Sequence, residues 1–217
     1  MHKYHTDKVD IDTSKIFNET LTIKESEYEG EYISIDNLSI ANYFDEYEDI
    51  NGTFKGIYND EGKVISFYST GSTNQYIEML DMKNFEIDID GTTNYVTTSN
   101  RVKKYLDSHK IKNDIDLLRY IKDNYYFKST IFTRSKNIEV NQILNTFVSV
   151  TLPSFKSITL IDGDIKGYIY NISTDVDVPI REVHIIIENK QYIVLLAGTE
   201  ITSNDFIEEL LSTVKYN

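Results

Sequence analysis

The chain of 217 residues contains no cysteine, no tryptophan and only two prolines, Pro153 and Pro179. Without cysteine there is no disulfide, no thiolate nucleophile, no iron–sulfur cluster and no cysteine-bound zinc. The nine glycines are scattered singly, so no glycine-rich phosphate loop exists, and two isolated prolines make no proline-rich linker. Long apolar runs are missing too. Ile185–Ile187 and Ile193–Ala197 are strand-sized, far short of the roughly 18 to 20 residues that a spanning helix needs. The opening Met-His-Lys-Tyr-His-Thr-Asp lacks a hydrophobic signal region. The expectation is a soluble protein with no membrane insertion, cytoplasmic, or alternatively an extracytoplasmic domain expressed without its leader.

Positive charge is in short supply. Lys and Arg number 22 against 35 Asp and Glu, for a formal net charge of −13 and a pI near 4.7. Phosphate neutralisation needs clustered cations, so nucleic acid is not expected as a partner. The imbalance is local. Residues 1–62 hold 15 acids and 5 bases, and residues 63–217 hold 20 and 17, while 101–136 alone carries 10 bases against 4 acids. Aromatic content rests on 17 Tyr and 10 Phe.

What is present is mostly pattern. Residues 1–30 mix acids with polar residues and show no periodicity, which predicts a loosely ordered N-terminal arm. Residues 31–217 read as a single α+β domain, with a possible subdivision near 98. Tyr32–Ile40 reads as one strand, and Phe54–Tyr58 with Lys63–Ser69 as a hairpin around Asn59-Asp60-Glu61-Gly62. Tyr76–Leu80 and Phe85–Ile89 read as further short strands or as a strand with a turn of helix. The middle is helical: Val102–Ser108, then a helix capped by Asn113 or Asp114 with an Ile115, Leu118, Ile121, Tyr125 stripe. A third helix carries Val140, Ile143, Leu144, Phe147 and Val148 and stops at Pro153. Thr130–Thr133 is a further candidate strand. Beyond Pro153 the period becomes two. One hairpin turns at Asp162-Gly163-Asp164, and a second joins Glu182–Glu188 to Gln191–Ala197 through Asn189-Lys190. Thr202 and Asp205, at capping-box spacing, open a helix striped by Phe206, Ile207, Leu210, Leu211 and Val214. The sum is a mainly antiparallel sheet with helices packed on its faces, ending in a C-terminal ββββα unit.

Catalytic patterns are thin. Of His2, His5, His109 and His184, only His184 lies mid-strand; His2 and His5 have a spacing that could hold a stray transition metal but sit in the arm expected to be loosely ordered, and none forms a His-x-x-x-His or His-x-Glu pair. His109 follows a helix end, where it suits the dipole. Ser212 and Lys215 have the spacing of penicillin-recognising enzymes, but at the wrong end of a helix. Asp88-Ile-Asp90-Gly91-Thr92 begins like a calcium loop and fails at its fifth and twelfth positions, Thr92 and Ser99. Asp162-Gly163-Asp164 and Asp175-Val-Asp177 read as turn aspartates. No catalytic residue, metal ligand or cofactor is therefore assigned.

The acidic first third interleaves tyrosine with carboxylates. Tyrosine supplies contact area at low entropic cost, and carboxylates steer basic surfaces. The expectation is a non-enzymatic binding domain of bacterial type, inhibitor- or immunity-like or lipoprotein-like, meeting a basic protein partner through Tyr43, Asp45, Glu46, Tyr47, Glu48 and Asp49. The alternatives are a hydrolase with carboxylate or single-histidine chemistry and a purely structural module. From charge alone, fluorescence anisotropy with duplex DNA at physiological salt should show no sub-micromolar binding; such binding would mean that the cations of 101–136 form a phosphate-tracking stripe.

Overall fold

Residues 155–197 alternate apolar side chains so that both faces of each strand are greasy, and a sheet of that kind has to be covered on both sides. The computed structural model describes residues 16–44, 46–50, 54–58, 62–70, 77, 85–89, 92–96, 100–124, 155–172, 177–188 and 190–217. Thirteen strands are described: β1 (Leu21–Ile23), β2 (Tyr32–Ile35), β3 (Leu38–Ala41), β4 (Glu46–Ile50), β5 (Phe54–Tyr58), β6 (Val64–Thr70), β7 (Phe85–Ile89), β8 (Thr92–Val96), β9 (Phe155–Gly163), β10 (Lys166–Ile172), β11 (Ile180–Ile187), β12 (Lys190–Ala197) and β13 (Lys215–Tyr216). The helices are α1 (Asn100–Ser108), α2 (Asp114–Asn124) and α3 (Asn204–Ser212).

The large sheet runs β1-β9-β10-β11-β12-β6-β5-β4, with β13-β3-β2 as a second sheet and β7-β8 as a separate hairpin. Every pairing is antiparallel except β1 with β9. The expected α+β class with a mainly antiparallel sheet is what the chain forms.

Register divides the large sheet into two buried faces. The row Ile169, Val183, Val194, Phe67 and its neighbours Ile161, Ile185 and Leu196 pack beneath α3 and the small sheet, against Ile33, Ile35, Leu38, Ile207, Leu210 and Leu211. The opposite face sets Ile158, Leu160, Tyr168, Tyr170 and Ile186 against Val102, Leu106, Ile115, Leu118 and Ile121 of α1 and α2. Each large apolar side chain removed from water in this way contributes about 1.5–3 kcal/mol. Asn113 caps α2, accepting from Asp116 N at 2.9 Å. Arg119 and Lys122 tie α2 to the sheet through Asp162 (3.0 Å) and Thr20 (2.8 Å).

Several local expectations shift. Tyr32–Ile40 is not one strand but the hairpin β2–β3, turning at Asp36 with φ 51°. The phase slip between Ile33/Ile35 and Leu38/Ile40 marks that turn, because a side chain changes face when the register moves by one residue. In the last hairpin Ile187 pairs with Lys190, so Lys190 belongs to the strand and not to the turn. Ser203, not Thr202, caps α3 by accepting from Phe206 N, and Thr202 instead donates to Gly198 O at 2.7 Å. The N-terminal arm is described from residue 16. There Ile16, Phe17, Leu21 and Ile23 are buried, and β1 lies parallel to β9. That approach needs Gly163: at φ 102° a Cβ would stand 2.1 Å from Ile23 O. The expected helix through Val140 and Phe147, Tyr125 at the end of the α2 stripe, and the strands at Tyr76–Leu80 and Thr130–Thr133 fall outside the described residues, save Ile77.

Leu211 and Ile185 are fully buried in the α3 core. Leu211→Ala should therefore cost about 2–5 kcal/mol in urea denaturation. A loss below about 0.5 kcal/mol, the scale of a surface change, would contradict this packing.

Candidate functional site

The expected binding segment splits on the fold. Tyr43 follows β3 and is half-buried against the α3 core. Its hydroxyl donates to Glu209 Oε1 at 3.1 Å, and its ring lies 5.6 Å from Phe206 and 5.4 Å from Tyr28. Burial, then the Glu209 carboxylate, pushes its phenol pKa well above the usual value. Glu46–Ile50, with Tyr47, Glu48 and Asp49, is β4, the outermost strand of the large sheet. Asp45 lies outside the described residues.

Exposed acids also occur in a segment that the sequence reading placed in the arm. Glu25, Ser26, Glu27, Tyr28 and Glu29, together with Lys215, line an open groove of about 540 Å³. The segment is pinned along its length. Glu25 N donates to Asp164 Oδ2 (3.0 Å), Ser26 N to Ser212 O (2.9 Å), Tyr28 OH to Asn42 O (2.9 Å) and Asn42 N to Glu31 O (2.8 Å). Tyr28 meets Tyr32 edge-on at 5.3 Å, and Lys215 Nζ sits 4.2 Å above the Tyr32 ring. Glu25, Glu27 and Glu29 are exposed. The groove thus joins three carboxylates to a tyrosine cluster seated on α3.

A second polar grouping lies inside the fold, on the α1/α2 face of the sheet. His184 is 2% exposed. It stacks on Tyr168 at 4.4 Å, its direct partner across β10–β11, and meets Tyr170 edge-on at 5.2 Å. Gln191 Nε2 donates to Tyr168 Oη at 2.9 Å and to His184 Nδ1. With Nδ1 accepting, the imidazole proton is on Nε2, a tautomer assigned through this network. Nε2 stands 2.6 Å from Glu182 Oε1, with the carboxylate off the N–H direction, and Gln191 Oε1 is buried without a hydrogen bond. A buried acceptor left in this state costs about 1–3 kcal/mol. Burial lowers the His184 pKa, and the opposing pull of Glu182 does not overcome it. Burial followed by the charge of Glu182 also raises the Tyr68 phenol. Gly167 allows β10 and β11 to close here, since a Cβ would meet His184 O at 2.0 Å.

Sequence reading singled out His184 but missed Glu182, Tyr168, Tyr170 and Gln191. The usable signal was two i, i+2 pairs, Glu182/His184 and Tyr168/Tyr170, on strands predicted to be near one another. The other candidates have structural partners. His109 Nδ1 donates to Tyr105 O at 2.8 Å, at the end of α1. Asp162 pairs with Arg119, Asp164 holds Glu25 N, and Ser212 Oγ donates to Glu209 O. Among the described residues no three His, Asp or Glu side chains converge as a metal site. No family model matches the chain, and no curated protein or solved structure matches it.

The unfolded chain protonates His184 near pH 6.5 and the folded protein only at lower pH. Stability should therefore fall as pH drops below about 6.5, by up to about 1.4 kcal/mol per pH unit for one proton. His184→Gln should flatten that slope in urea melts run between about pH 6.5 and 5. An unchanged slope would show that another group takes up the proton.

Proposed function

We propose that this chain is a non-enzymatic binding domain whose acidic, tyrosine-rich surface engages a basic protein partner, in the manner of a bacterial inhibitor or immunity protein or an extracytoplasmic lipoprotein domain. The observation that supports it most is the groove at Glu25, Glu27 and Glu29. Carboxylates there remain exposed beside rigid tyrosine rings, so they can guide a cationic surface while the aromatics supply contact area. The competing reading is a hydrolase built on Glu182 and His184, favoured by their 2.6 Å approach. Against it, the imidazole is packed between Tyr168, Tyr170 and Gln191 with almost no surface of its own. A core network that holds strand register accounts for that arrangement.

The test neutralises Glu25, Glu27, Glu29, Glu46 and Glu48 to Gln and Asp45 and Asp49 to Asn. Thermal melts should stay close to wild type, as surface changes usually shift stability by less than about 0.5 kcal/mol. Association with a partner captured from the native host should slow about tenfold or more at low salt, and its salt dependence should flatten. A lowered melting temperature with unaltered binding would assign these acids to internal pairing. Capture of no partner by wild type would remove the docking reading.

A further inference from the structure

We infer that the outer edge of β4 takes an extended, lysine-rich segment of the partner as a ninth strand of the large sheet. This deepens the basic-partner reading above and rests on it, adding the mode of attachment. β4 ends the strand order, and among the described residues no strand lies beyond it. It is held to β5 over five residues, Glu46 to Ile50 opposite Tyr58 to Phe54. In such a ladder every second residue turns its N–H and C=O away from the neighbour, which leaves a row of donors and acceptors for an incoming strand.

Charge selects what can use that row. Glu46, Glu48 and Asp49 fall within five residues, Asp45 precedes them, and no Lys or Arg occurs from Asn37 to Phe54. A second copy of this chain, edge to edge, would set carboxylates against carboxylates, so the same residues that guard the edge from self-pairing exclude that occupant. A lysine-rich strand meets opposite charge at the same positions. The far edge differs. β1 is three residues long, Leu21 and Ile23 are buried, and Lys122 of α2 donates to the adjoining Thr20.

The test titrates the ¹⁵N-labelled full chain with a blocked peptide of about six residues, a common strand length, alternating lysine with threonine and valine. Amide shifts should concentrate at residues 46–50, and the variant Glu46→Gln, Glu48→Gln, Asp49→Asn should weaken binding about tenfold or more at low salt. Two further peptides carry N-methyl groups on alternate residues, one on the odd set and one on the even. A strand added to an edge bonds through only one set, so one methylated peptide should lose binding and the other keep it. Equal behaviour of the two overturns the edge inference whatever the acidic variant does. If binding still depends on the carboxylates in that case, or shifts gather at residues 25–29 instead, the basic-partner reading survives without the added strand. No binding of the unmodified peptide at low salt defeats both. The peptide comparison uses wild-type protein and so decides even if the acidic variant misfolds.

Discussion

Everything in this molecule depends on the burial of both faces of the β9–β12 strands. Val183, Ile185 and their row partners cannot be left wet, and neither can Tyr168, Tyr170 and Ile186 behind them. A single covering layer would leave one face exposed, so the chain supplies two. Helices α1 and α2 close one side, and α3 with the β13-β3-β2 sheet closes the other. The only large apolar side chain left exposed among the described residues is Val178, outside these layers. Segments remote in sequence are recruited for the same reason. Ile16, Phe17, Leu21 and Ile23 come in from the N-terminal region because the outer edge of β9 still has both backbone groups and apolar surface to satisfy.

That two-sided burial also explains the polar residues inside. His184 and Gln191 are buried on the face that packs against α1 and α2, and burial makes charge on the imidazole costly. The network lowers the cost by keeping His184 neutral and giving Nδ1 and Tyr168 Oη a shared donor in Gln191. Its stacked rings demand one register of β10 on β11, since a shift of one residue would carry His184 into the α3 core. Specificity of strand pairing, more than net stability, is what such a cluster provides, because Gln191 Oε1 and the misaligned Glu182 contact both detract.

The surface tells a different story from the interior. Basic residues of α2 are directed at Asp162 and Thr20, and Lys63 and Lys190 meet Glu200 and Asp36. Against these pairings the glutamates of residues 25–29 stand exposed beside Tyr28 and Tyr32, and Lys215, which also lines the groove, is drawn over a ring. Acidic charge is therefore concentrated where backbone and aromatic groups are also presented, the combination on which the binding reading rests.

Local pattern was enough for the elements whose partners lie nearby in the chain. Alternation made the β9–β10 and β11–β12 hairpins readable, with Asp-Gly turn chemistry marking the first, and the stripe from Phe206 to Val214 made α3 readable. The phase slip at Asp36-Asn37 was equally local, and reading straight through it merged two strands into one. The α+β class follows from such signals, because periodicity reports how many faces each segment must bury. Tertiary structure alone decided the rest. Nothing near Leu21 shows that it will lie beside Ile161, that Gln191 will reach past His184 to Tyr168, or that Glu46–Ile50 will be the last strand of eight. Those outcomes depend on which surfaces remain uncovered once the hairpins have formed. Distant segments compete for those surfaces through burial and backbone pairing, and neither leaves a local trace in the sequence.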